Sequence, residues 1–329
     1  MNAFNGLTIL VTGATGSFGR ACVRALLDTE VGKVVIFSRD ELKQFQMRRG
    51  LNDDPRLRFF LGDVRDLQRL RRAFEGVHVV IHAAALKQVP AAEYNPFEAV
   101  KTNIIGAQNV IEAALDTGVE KVLALSTDKA VNPVNLYGAT KLCSEKLFVA
   151  GNVYVSSADR TAFSCVRYGN VLGSRGSVIE QFREQAKTGT IEITDPRMTR
   201  FWITLNQAVA LVFDAIEWMQ GGEIYVPALP SCRVVDLARA IDPQAEHRIT
   251  GIRPGEKLYE TLLGEDEARR TLSTGEHFVI ESEDLIPKSR LRSRGEGVQL
   301  PDGFTYRSDN NGRQLNAQEL QGMIESAAA

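Results

Sequence analysis

The sequence has few of the residues that metal sites and disulfide frameworks require. Its 329 residues include only four cysteines and four histidines. The cysteines are scattered without a CxxC spacing, and the histidines form no ligand cluster. Because metal sites depend on such spacings, we predict no metal. We interpret the cysteines as reduced residues of a cytoplasmic protein.

The sequence also lacks long apolar runs and an excess of one charge. No apolar run approaches the roughly 20 residues of a membrane span. The N-terminus lacks the basic and apolar regions of a secretion signal. The chain has 39 basic and 41 acidic residues, for a net charge of -2. We therefore predict neither nucleic acid nor a membrane as a partner.

Apolar residues make up 44% of the chain, enough for a substantial core. In the first half, short apolar runs alternate with helical patterns. This alternation predicts an α/β fold with a Rossmann-like doubly wound parallel sheet. The predicted strands are 7–11, 33–37, 58–61, 79–82, 121–125 and 162–168, and the predicted later helices are 96–117, 177–187, 205–219 and 234–241.

A glycine motif follows the first predicted strand. Gly13, Gly16 and Gly19 have the spacing GxxGxxG, which differs from the usual GxGxxG of dinucleotide-binding folds. Glycine at these positions permits a tight turn, close approach to a phosphate and close helix packing. The backbone N–H groups of the following helix would then face an anion. The motif favours a dinucleotide site, and a turn without a ligand is the alternative.

The residues after the second predicted strand bear on the choice of cofactor. Ser38, Arg39 and Asp40 stand about 20 residues past the glycines, where such folds recognise the ribose 2′ position. Arg39 suits a 2′-phosphate, with Ser38 as a further donor, and favours NADP. Asp40 leaves NAD open, and Arg39 could also be an exposed neighbour of a helix cap. Asp63 could hold an adenine amino group or cap the next helix.

The most reactive stretch is STDKAVNPVNLYGATK, residues 126–141. Tyr137 and Lys141 are four residues apart at a predicted helix start, so they share one face. A neighbouring cation would lower the phenol pKa from about 10, and a phenolate can take a proton from an alcohol. Thr127 could hold the same hydroxyl. The spacing YxxxK is common by chance and gains meaning here from the strand and glycine motif before it.

Several long motifs carry a family resemblance. They are TGATGSFG (12–19), SRDELKQ (38–44), GDVRD (62–66), AALKQVPAAEYNP (84–96), STDKAVNPVNLYGATK (126–141), VRYGNVLGSRGSV (166–178), TRFWIT (199–204) and GIRPGEKL (251–258). In this order they resemble the inverting UDP-N-acetylglucosamine 4,6-dehydratases, a group of extended short-chain dehydrogenase/reductases. The resemblance covers about residues 7 to 265. Gln88 departs from it, because histidine is expected there.

The resemblance implies a fold, a reaction and a cellular setting. It implies an NADP-binding Rossmann domain of residues 1–168 with parts of 200–230, a smaller part at 169–285 for the UDP-sugar, and a peripheral polar tail at 286–329. The implied reaction removes water from UDP-N-acetylglucosamine with inversion at C5 and consumes no cofactor. It would begin pseudaminic acid synthesis in a cytoplasmic homo-oligomer.

The resemblance also implies roles for individual residues. The catalytic residues would be Thr127, Asp128, Lys129, Tyr137 and Lys141. NADP would contact Gly13, Thr15, Gly16, Ser17, Phe18, Gly19, Ser38, Arg39, Asp40, Lys43, Asp63, Val64, Ala83, Ala84, Ala85, Lys87, Asn103, Tyr137, Lys141 and Asn170. The substrate would contact Lys87, Lys129, Gly169, Asn170, Ser174, Arg175, Gly176, Ser177, Val178, Arg200, Arg253 and Glu256.

Two points stay open on the sequence alone. Lys129 stands where related retaining dehydratases have a carboxylate base, and a lysine base needs its pKa lowered from about 10.4. An ion pair with Asp128 would raise that pKa, and such a pair could also be a surface feature. Arg200 and Arg253 suit a diphosphate but could be solvated surface charges.

Three other functions remain as alternatives. A UDP-sugar 4-epimerase on the same fold would not need the Asp128–Lys129 pair. A retaining 4,6-dehydratase would differ in the product configuration at C5. An NADP-binding regulatory protein without turnover would not need the set from Thr127 to Lys141.

Overall fold

A parallel sheet organises the first half of the chain. The computed structural model describes residues 4–155, 161–174, 176–282, 289, 292 and 294–326. The first strands are β1 (Thr8–Thr12), β2 (Lys33–Ser38), β3 (Leu57–Leu61), β4 (Val79–His82), β5 (Lys121–Leu125) and β6 (Ala162–Val166). They pair in parallel in the order β3-β2-β1-β4-β5-β6. The predicted doubly wound sheet is therefore confirmed.

Helices cross over between these strands. They are α1 (Ser17–Leu27), α2 (Glu41–Gly50), α3 (Leu67–Phe74), α4 (Val89–Tyr94), α5 (Pro96–Val100), α6 (Gly106–Thr117) and α7 (Leu136–Gly151). The long helix predicted at 96–117 contains a π-helical turn, Lys101–Ile105, between α5 and α6. Such turns often occur at functional sites because they shift the direction of the side chains that follow.

The second half adds to this sheet and builds smaller ones. Its strands are β7 (Asn170–Val171), β8 (Thr190–Ile193), β9 (Thr199–Ile203), β10 (Ile224–Pro227), β11 (Ser231–Arg233), β12 (Glu246–Ile249), β13 (Thr261–Leu263), β14 (Thr271–Ser273), β15 (His277–Ile280), β16 (Val298–Gln299) and β17 (Tyr306–Arg307). Its helices are α8 (Val178–Ala186), α9 (Leu205–Trp218), α10 (Val234–Ile241), α11 (Glu265–Ala268) and α12 (Ala317–Ser326). Strand β10 pairs in parallel with β6, and β15, β14 and β16 extend the sheet antiparallel.

A second apolar core lies under the smaller sheets. It includes Ile179 of α8, Trp202 of β9 and Leu237 of α10. Leu320 and Ile324 of α12 complete it, because residues four apart share one helix face. The tail thus packs more closely than its polar composition predicts, although most of its basic segment lies outside the described residues. The domain limits remain a prediction.

No helix within the described ranges is both long and apolar enough to cross a lipid bilayer.

The parallel strands of the sheet have nearly continuous apolar sequences. Helices cover both faces of such a sheet, so its side chains are buried on each side. In β1 and β2, for example, Ile9, Leu10, Val34 and Ile36 have no solvent exposure.

A buried ion-pair network ties the two halves together. Arg167 follows β6 and is only 1% exposed. Its guanidinium contacts Glu145 of α7 at 2.7 Å and Glu267 of α11 at 2.8 Å. It also donates a hydrogen bond of 2.9 Å to the carbonyl of Leu262. Helices α7 and α11 and strand β13 are therefore held together by the Arg167 guanidinium.

We predict that Arg167→Met lowers the free energy of unfolding by about 3–5 kcal/mol, because it leaves Glu145 and Glu267 without their buried partner. Urea denaturation followed by circular dichroism would measure it. The control is Arg72→Met, which breaks an exposed pair with Glu75 and should cost less than about 1 kcal/mol. Equal losses in the two variants would contradict the role given to Arg167.

Candidate active site

A cavity of about 700 Å³ opens at the carboxyl ends of the parallel strands. Residues directly after five of these strands form part of its wall: Gly13 after β1, Arg39 after β2, Gly62 after β3, Ala83 after β4 and Ser126 after β5. Open α/β sheets bind their ligands at this edge. The topology of the sheet therefore places the predicted motifs around one space.

The glycine motif forms the tight turn between β1 and α1. Gly13 has a φ of +66°, and a Cβ atom there would lie 2.9 Å from the Cα of Ala84. A Cβ atom at Gly19 would lie 2.5 Å from the Cα of Ala14. Only glycine permits these two approaches, which bring the N-terminus of α1 to the cavity wall. Thr15, Gly16, Ser17 and Phe18 also line the cavity there.

Two cations line the cavity beyond the end of β2. Asp40 caps α2 by accepting a hydrogen bond of 2.9 Å from the Lys43 backbone, and it pairs with the Lys43 ammonium at 2.6 Å. The hydrogen bonds from Lys43 lower the pKa of Asp40. Arg39 and Lys43 both line the cavity, beside Ser38. Asp40, the residue that kept NAD as an alternative cofactor in the sequence analysis, is thus engaged as a helix cap.

Asp63 and Val64 form the next part of the wall. Asp63 pairs with Arg65 at 2.7 Å and with Arg39 at 3.6 Å. Burial would raise the pKa of Asp63, but the hydrogen bonds and charges of these arginines outweigh it, and the net shift is downward. Asp66, and not Asp63, caps α3. Asp63 therefore offers an ionised acceptor to the cavity.

Strand β5 delivers the reactive stretch to the cavity. Thr127 caps a single 3-10 turn, Asp128–Ala130, and its hydroxyl donates a hydrogen bond of 2.9 Å to Asp128. Lys129 places its ammonium 3.0 Å from Asp128 Oδ1 and 3.3 Å from Asn170 Oδ1. Thr127 and Lys129 line the cavity, whereas Asp128 is fully buried behind them. The pair is an ion pair at the cavity wall.

A second carboxylate, which the sequence analysis missed, also faces Lys129. Glu260 is 3% exposed and lies 3.5 Å from the Lys129 ammonium. Burial would lower the pKa of Lys129, but the charges of Asp128 and Glu260 together outweigh it and raise that pKa. The conflict left open by the sequence is thereby resolved in favour of the charged form. No local motif marks Glu260, because it comes near Lys129 only through the fold.

Tyr137 lines the cavity from the first turn of α7. Burial raises its pKa, although the charge of Lys129 and a hydrogen bond with Thr127 act in the opposite direction. The Lys141 ammonium donates a hydrogen bond of 2.6 Å to the Leu125 carbonyl. The expectation that Lys141 lowers the pKa of Tyr137 is therefore wrong, because burial dominates and Lys129 is the cation that acts on the phenol.

Close packing brings α7 against the turn that carries Lys129. A Cβ atom at Gly138 would lie 2.2 Å from the Lys129 carbonyl oxygen, so only glycine fits. Asn135 caps α7 by accepting a hydrogen bond of 2.8 Å from Gly138, and its amide donates to Gly255 at 2.8 Å. These contacts fix Tyr137 beside Lys129.

The predicted substrate side forms the opposite part of the wall. Gly169 packs directly on Phe201, because a Cβ atom there would lie 2.6 Å from the Phe201 Cβ. The N-terminus of α8 follows, with Ser177 as its cap residue. The residues of this side that line the cavity are Lys87, Gly169, Asn170, Ser174, Gly176, Ser177 and Val178. Arg175 lies outside the described residues.

Besides Asp128, four predicted residues that the structure describes stand away from the cavity wall. Asn103 holds the Leu86 backbone through hydrogen bonds of 2.8 and 2.9 Å, so it shapes the segment after β4. Arg200 donates to the carbonyls of Thr199 and Lys257. Arg253 is exposed, and Glu256 accepts a hydrogen bond from its backbone. The side chains of Asn103, Arg200 and Glu256 thus contact the protein itself.

Polar atoms without a protein partner point to a polar ligand. The hydroxyls of Thr102, Ser126 and Ser177 are buried, lack a hydrogen-bond partner among the residues that the structure describes, and belong to residues that line the cavity. Buried polar groups rarely stay unpaired. Together with the α1 and α8 N-termini, these hydroxyls fit a dinucleotide and a second anionic ligand. The sequence analysis gave no role to Thr102, which lies outside the quoted motifs, or to Ser126, which is the first residue of the motif at 126–141.

His82 does not belong to the reactive set. It is 2% exposed at the end of β4, and its Nδ1 lies 2.9 Å from the Thr12 hydroxyl. Burial lowers its pKa to about 3. These contacts identify His82 as a packed residue at the end of β4. Among the residues described, no group of three or more His, Cys, Asp or Glu side chains is placed to hold a metal ion.

Comparisons with known proteins agree with this architecture. Residues 9–282 match the family described as "Polysaccharide biosynthesis protein". The chain is 50% identical to a UDP-N-acetylglucosamine 4,6-dehydratase (inverting) of Campylobacter jejuni, covering 98% of each chain. It is 40% identical to a UDP-glucose 4-epimerase of Rickettsia canadensis, covering 96% of this chain and 95% of that one. The solved structure of Pen from Bacillus thuringiensis superposes with a TM-score of 0.89 at 36% identity, covering 99% of this chain and 98% of that one.

These similarities extend over nearly the whole chain, so they cover both the parallel sheet and the smaller sheets. They also include every motif that carried the resemblance, from the glycine turn to the segment 251–258. The predicted resemblance is confirmed. The chain belongs to the polysaccharide biosynthesis protein family and to the extended short-chain dehydrogenase/reductases, which include the inverting UDP-N-acetylglucosamine 4,6-dehydratases.

Proposed function

We propose that the protein catalyses the NADP-dependent 4,6-dehydration of UDP-N-acetylglucosamine with inversion at C5. The observation that carries this proposal is the position of Lys129 and Tyr137 in one cavity with two helix N-termini. Helix N-termini bind phosphate groups through free backbone N–H groups. That of α1 suits the cofactor pyrophosphate and that of α8 the diphosphate of a nucleotide sugar. The reacting sugar would then lie between them.

Arg39 and Lys43 support NADP as the cofactor. A 2′-phosphate favours arginine, and Asp40 already serves as the cap of α2 and the partner of Lys43. When bound, a nicotinamide ring would accept hydride from C4 of the sugar and return it to C6. The proton transfers of the reaction would then be carried out by side chains of the protein.

Tyr137 is placed to accept the proton of the sugar 4-hydroxyl. Burial raises its pKa, and the nearby charge of Lys129 and the hydrogen bond with Thr127 offset part of that rise by stabilising the phenolate. Lys141 holds the end of β5 through the Leu125 carbonyl. The group that would accept the 4-hydroxyl proton and the lysine beside it therefore belong to α7, which contacts the end of β5.

Lys129 and Asp128 are placed to remove water across C5 and C6. A proton that moves from Lys129 to Asp128 over their 3.0 Å contact would leave a neutral amine. That amine can accept the C5 proton, which the 4-ketone acidifies. A proton then passes through Lys129 to the departing 6-hydroxyl, which leaves as water. A solvent proton added to C5 from the other face, as the hydride reaches C6, completes the inversion, and Tyr137 releases the 4-hydroxyl proton to solvent.

Other parts of the proposed function rest only on the similarity to this family. We propose that the reaction opens pseudaminic acid synthesis, in the cytoplasm and in a homo-oligomer. We also propose that residues 1–168 with parts of 200–230 bind NADP and that residues 169–285 mostly bind the UDP-sugar. A 4-epimerase is the second candidate, because a relative of 40% identity bears that name. A retaining dehydratase would share the cavity but not the C5 outcome.

Proton NMR of the purified protein with UDP-N-acetylglucosamine in heavy water tests the proposal. We expect a new C6 methyl signal, deuterium at C5 and the L-arabino 4-keto product. A methyl with retained C5 configuration would indicate the retaining reaction. A gluco-to-galacto change without a methyl would indicate an epimerase. An unchanged substrate with NADP bound would refute the proposal.

We predict that Lys129→Ala abolishes turnover and leaves NADP binding intact, because Lys129 handles the C5 proton while the cofactor contacts lie elsewhere in the cavity. Product formation by NMR and NADP titration would measure the two effects. Lys187→Ala, which removes an exposed lysine paired with Glu184, serves as the control and should keep normal activity. Normal turnover by Lys129→Ala would defeat the assignment.

We predict that Arg39→Ala weakens NADP binding by about tenfold to a hundredfold and changes NAD binding little, because it removes a charged hydrogen-bond donor to the 2′-phosphate. Fluorescence titration with both dinucleotides would measure the preference. Arg49→Ala, at the far end of α2, is the control. An equal loss for NAD and NADP would show that Arg39 does not read the 2′ position.

A further inference from the structure

Glu260 is a buried carboxylate surrounded by three cations. Its Oε1 lies 3.5 Å from the Lys129 ammonium and 3.8 Å from the Arg200 guanidinium. Its Oε2 lies 3.9 Å from the Lys257 ammonium and accepts no hydrogen bond from any residue in the described ranges. Its backbone is fixed on both sides, because Glu260 N donates to the Ser308 hydroxyl and Ser308 N donates to the Glu260 carbonyl, each at 2.9 Å. The side chain is thus held in a defined place.

The three cations are not equivalent. Arg200 donates to the carbonyl of Thr199 at 2.7 Å, and Lys257 donates to the carbonyl of Val131 at 2.7 Å. Both therefore serve the backbone around the site. Lys129 is the one of the three that lines the cavity. Glu260 consequently links the two backbone-bound cations to the reactive amine.

We propose that Glu260 is a positioning residue for Lys129, whose carboxylate fixes the amine at the cavity wall and shares with Asp128 the control of its proton. The reaction-level part of this assignment rests on the proposed function, in which Lys129 accepts the C5 proton. The link between Glu260 and Lys129 rests on the contact itself. Removal of Glu260 would leave the amine with one carboxylate instead of two.

Every charged or titratable group around Lys129 bears on this proposal. Asp128 faces it from the same turn, Tyr137 from α7, Arg200 from β9, and Lys257 and Glu260 from the segment before β13. Asp128 and Glu260 favour the ammonium, whereas Arg200 and Lys257 disfavour it. Without the Glu260 charge, these two cations would act on Lys129 unopposed except by Asp128. The amine would then lose its proton at lower pH.

Competitive acetylation of the full-length protein tests this directly. The extent of Lys129 labelling is read by peptide mass spectrometry across a pH series, with the exposed Lys187 as internal reference. In Glu260→Gln we expect the labelling midpoint of Lys129 to fall by about one pH unit or more, since an opposite charge has been removed from within 4 Å. In Glu260→Asp, which keeps the negative charge, the labelling midpoint of Lys129 should stay close to that of the wild type.

A matched control removes a different buried carboxylate. Glu223 is 1% exposed and accepts hydrogen bonds from Ser164 and the backbone of Gly221. Glu223→Gln should leave the Lys129 midpoint unchanged. An unchanged midpoint in Glu260→Gln would overturn the proposal, and so would an equal fall in Glu223→Gln. If Glu260→Gln does not fold, Glu260→Asp serves as the test. A labelling midpoint close to that of the wild type would support the proposal. A fall of about one pH unit or more in Glu260→Asp would overturn it.

A second readout connects the link to the reaction. In the pH profile of kcat, the acid limb of Glu260→Gln should move to lower pH, because a neutral amine becomes available there. A midpoint shift in labelling with an unmoved acid limb would overturn the role of Glu260 in turnover. Labelling does not need turnover, so failure of the proposed dehydration would be seen separately, as missing product from the wild-type protein.

Discussion

The ion pair between Lys129 and its two carboxylates is the interaction on which the site depends. A charged amine at a cavity wall is costly to desolvate unless opposite charges lie close by. Asp128 supplies one charge from the adjacent residue, and Glu260 supplies the other from a distant part of the chain. The amine is therefore charged and held in place, and in the proposed function this ion pair holds the proton that Lys129 would exchange with the sugar.

The fold can be understood as the means of assembling this cluster. Strand β5 ends at the turn that carries Lys129, and Gly138 lets α7 lie directly against that turn. The segment before β13 reaches the same turn from the second half, because Lys257 holds the Val131 carbonyl and Asn135 holds Gly255. Arg167 keeps α7 and α11 in register beneath it.

Local sequence patterns predicted the parallel sheet and the glycine turn, because apolar runs and glycine spacing act within short segments. The resemblance supplied most of the residues that line the cavity. Neither could reveal Glu260, which lies 131 positions after Lys129 and carries no motif of its own.

The direction of the Tyr137 pKa was also beyond the sequence, because it depends on burial and on which cation the fold places nearby. The packing of α12 was missed for a similar reason, since its two buried residues stand in a polar tail.

The most direct test of the central claim follows one atom of the substrate through the cavity. UDP-N-acetylglucosamine deuterated at C4 would be mixed with unlabelled substrate, and the product would be examined by mass spectrometry and deuterium NMR. The account predicts that the deuterium appears at C6 of the same molecule, with the C4 position oxidised to a ketone. Deuterium that remains at C4, exchanges into water or crosses to other product molecules would contradict a single cavity that holds the sugar throughout both transfers.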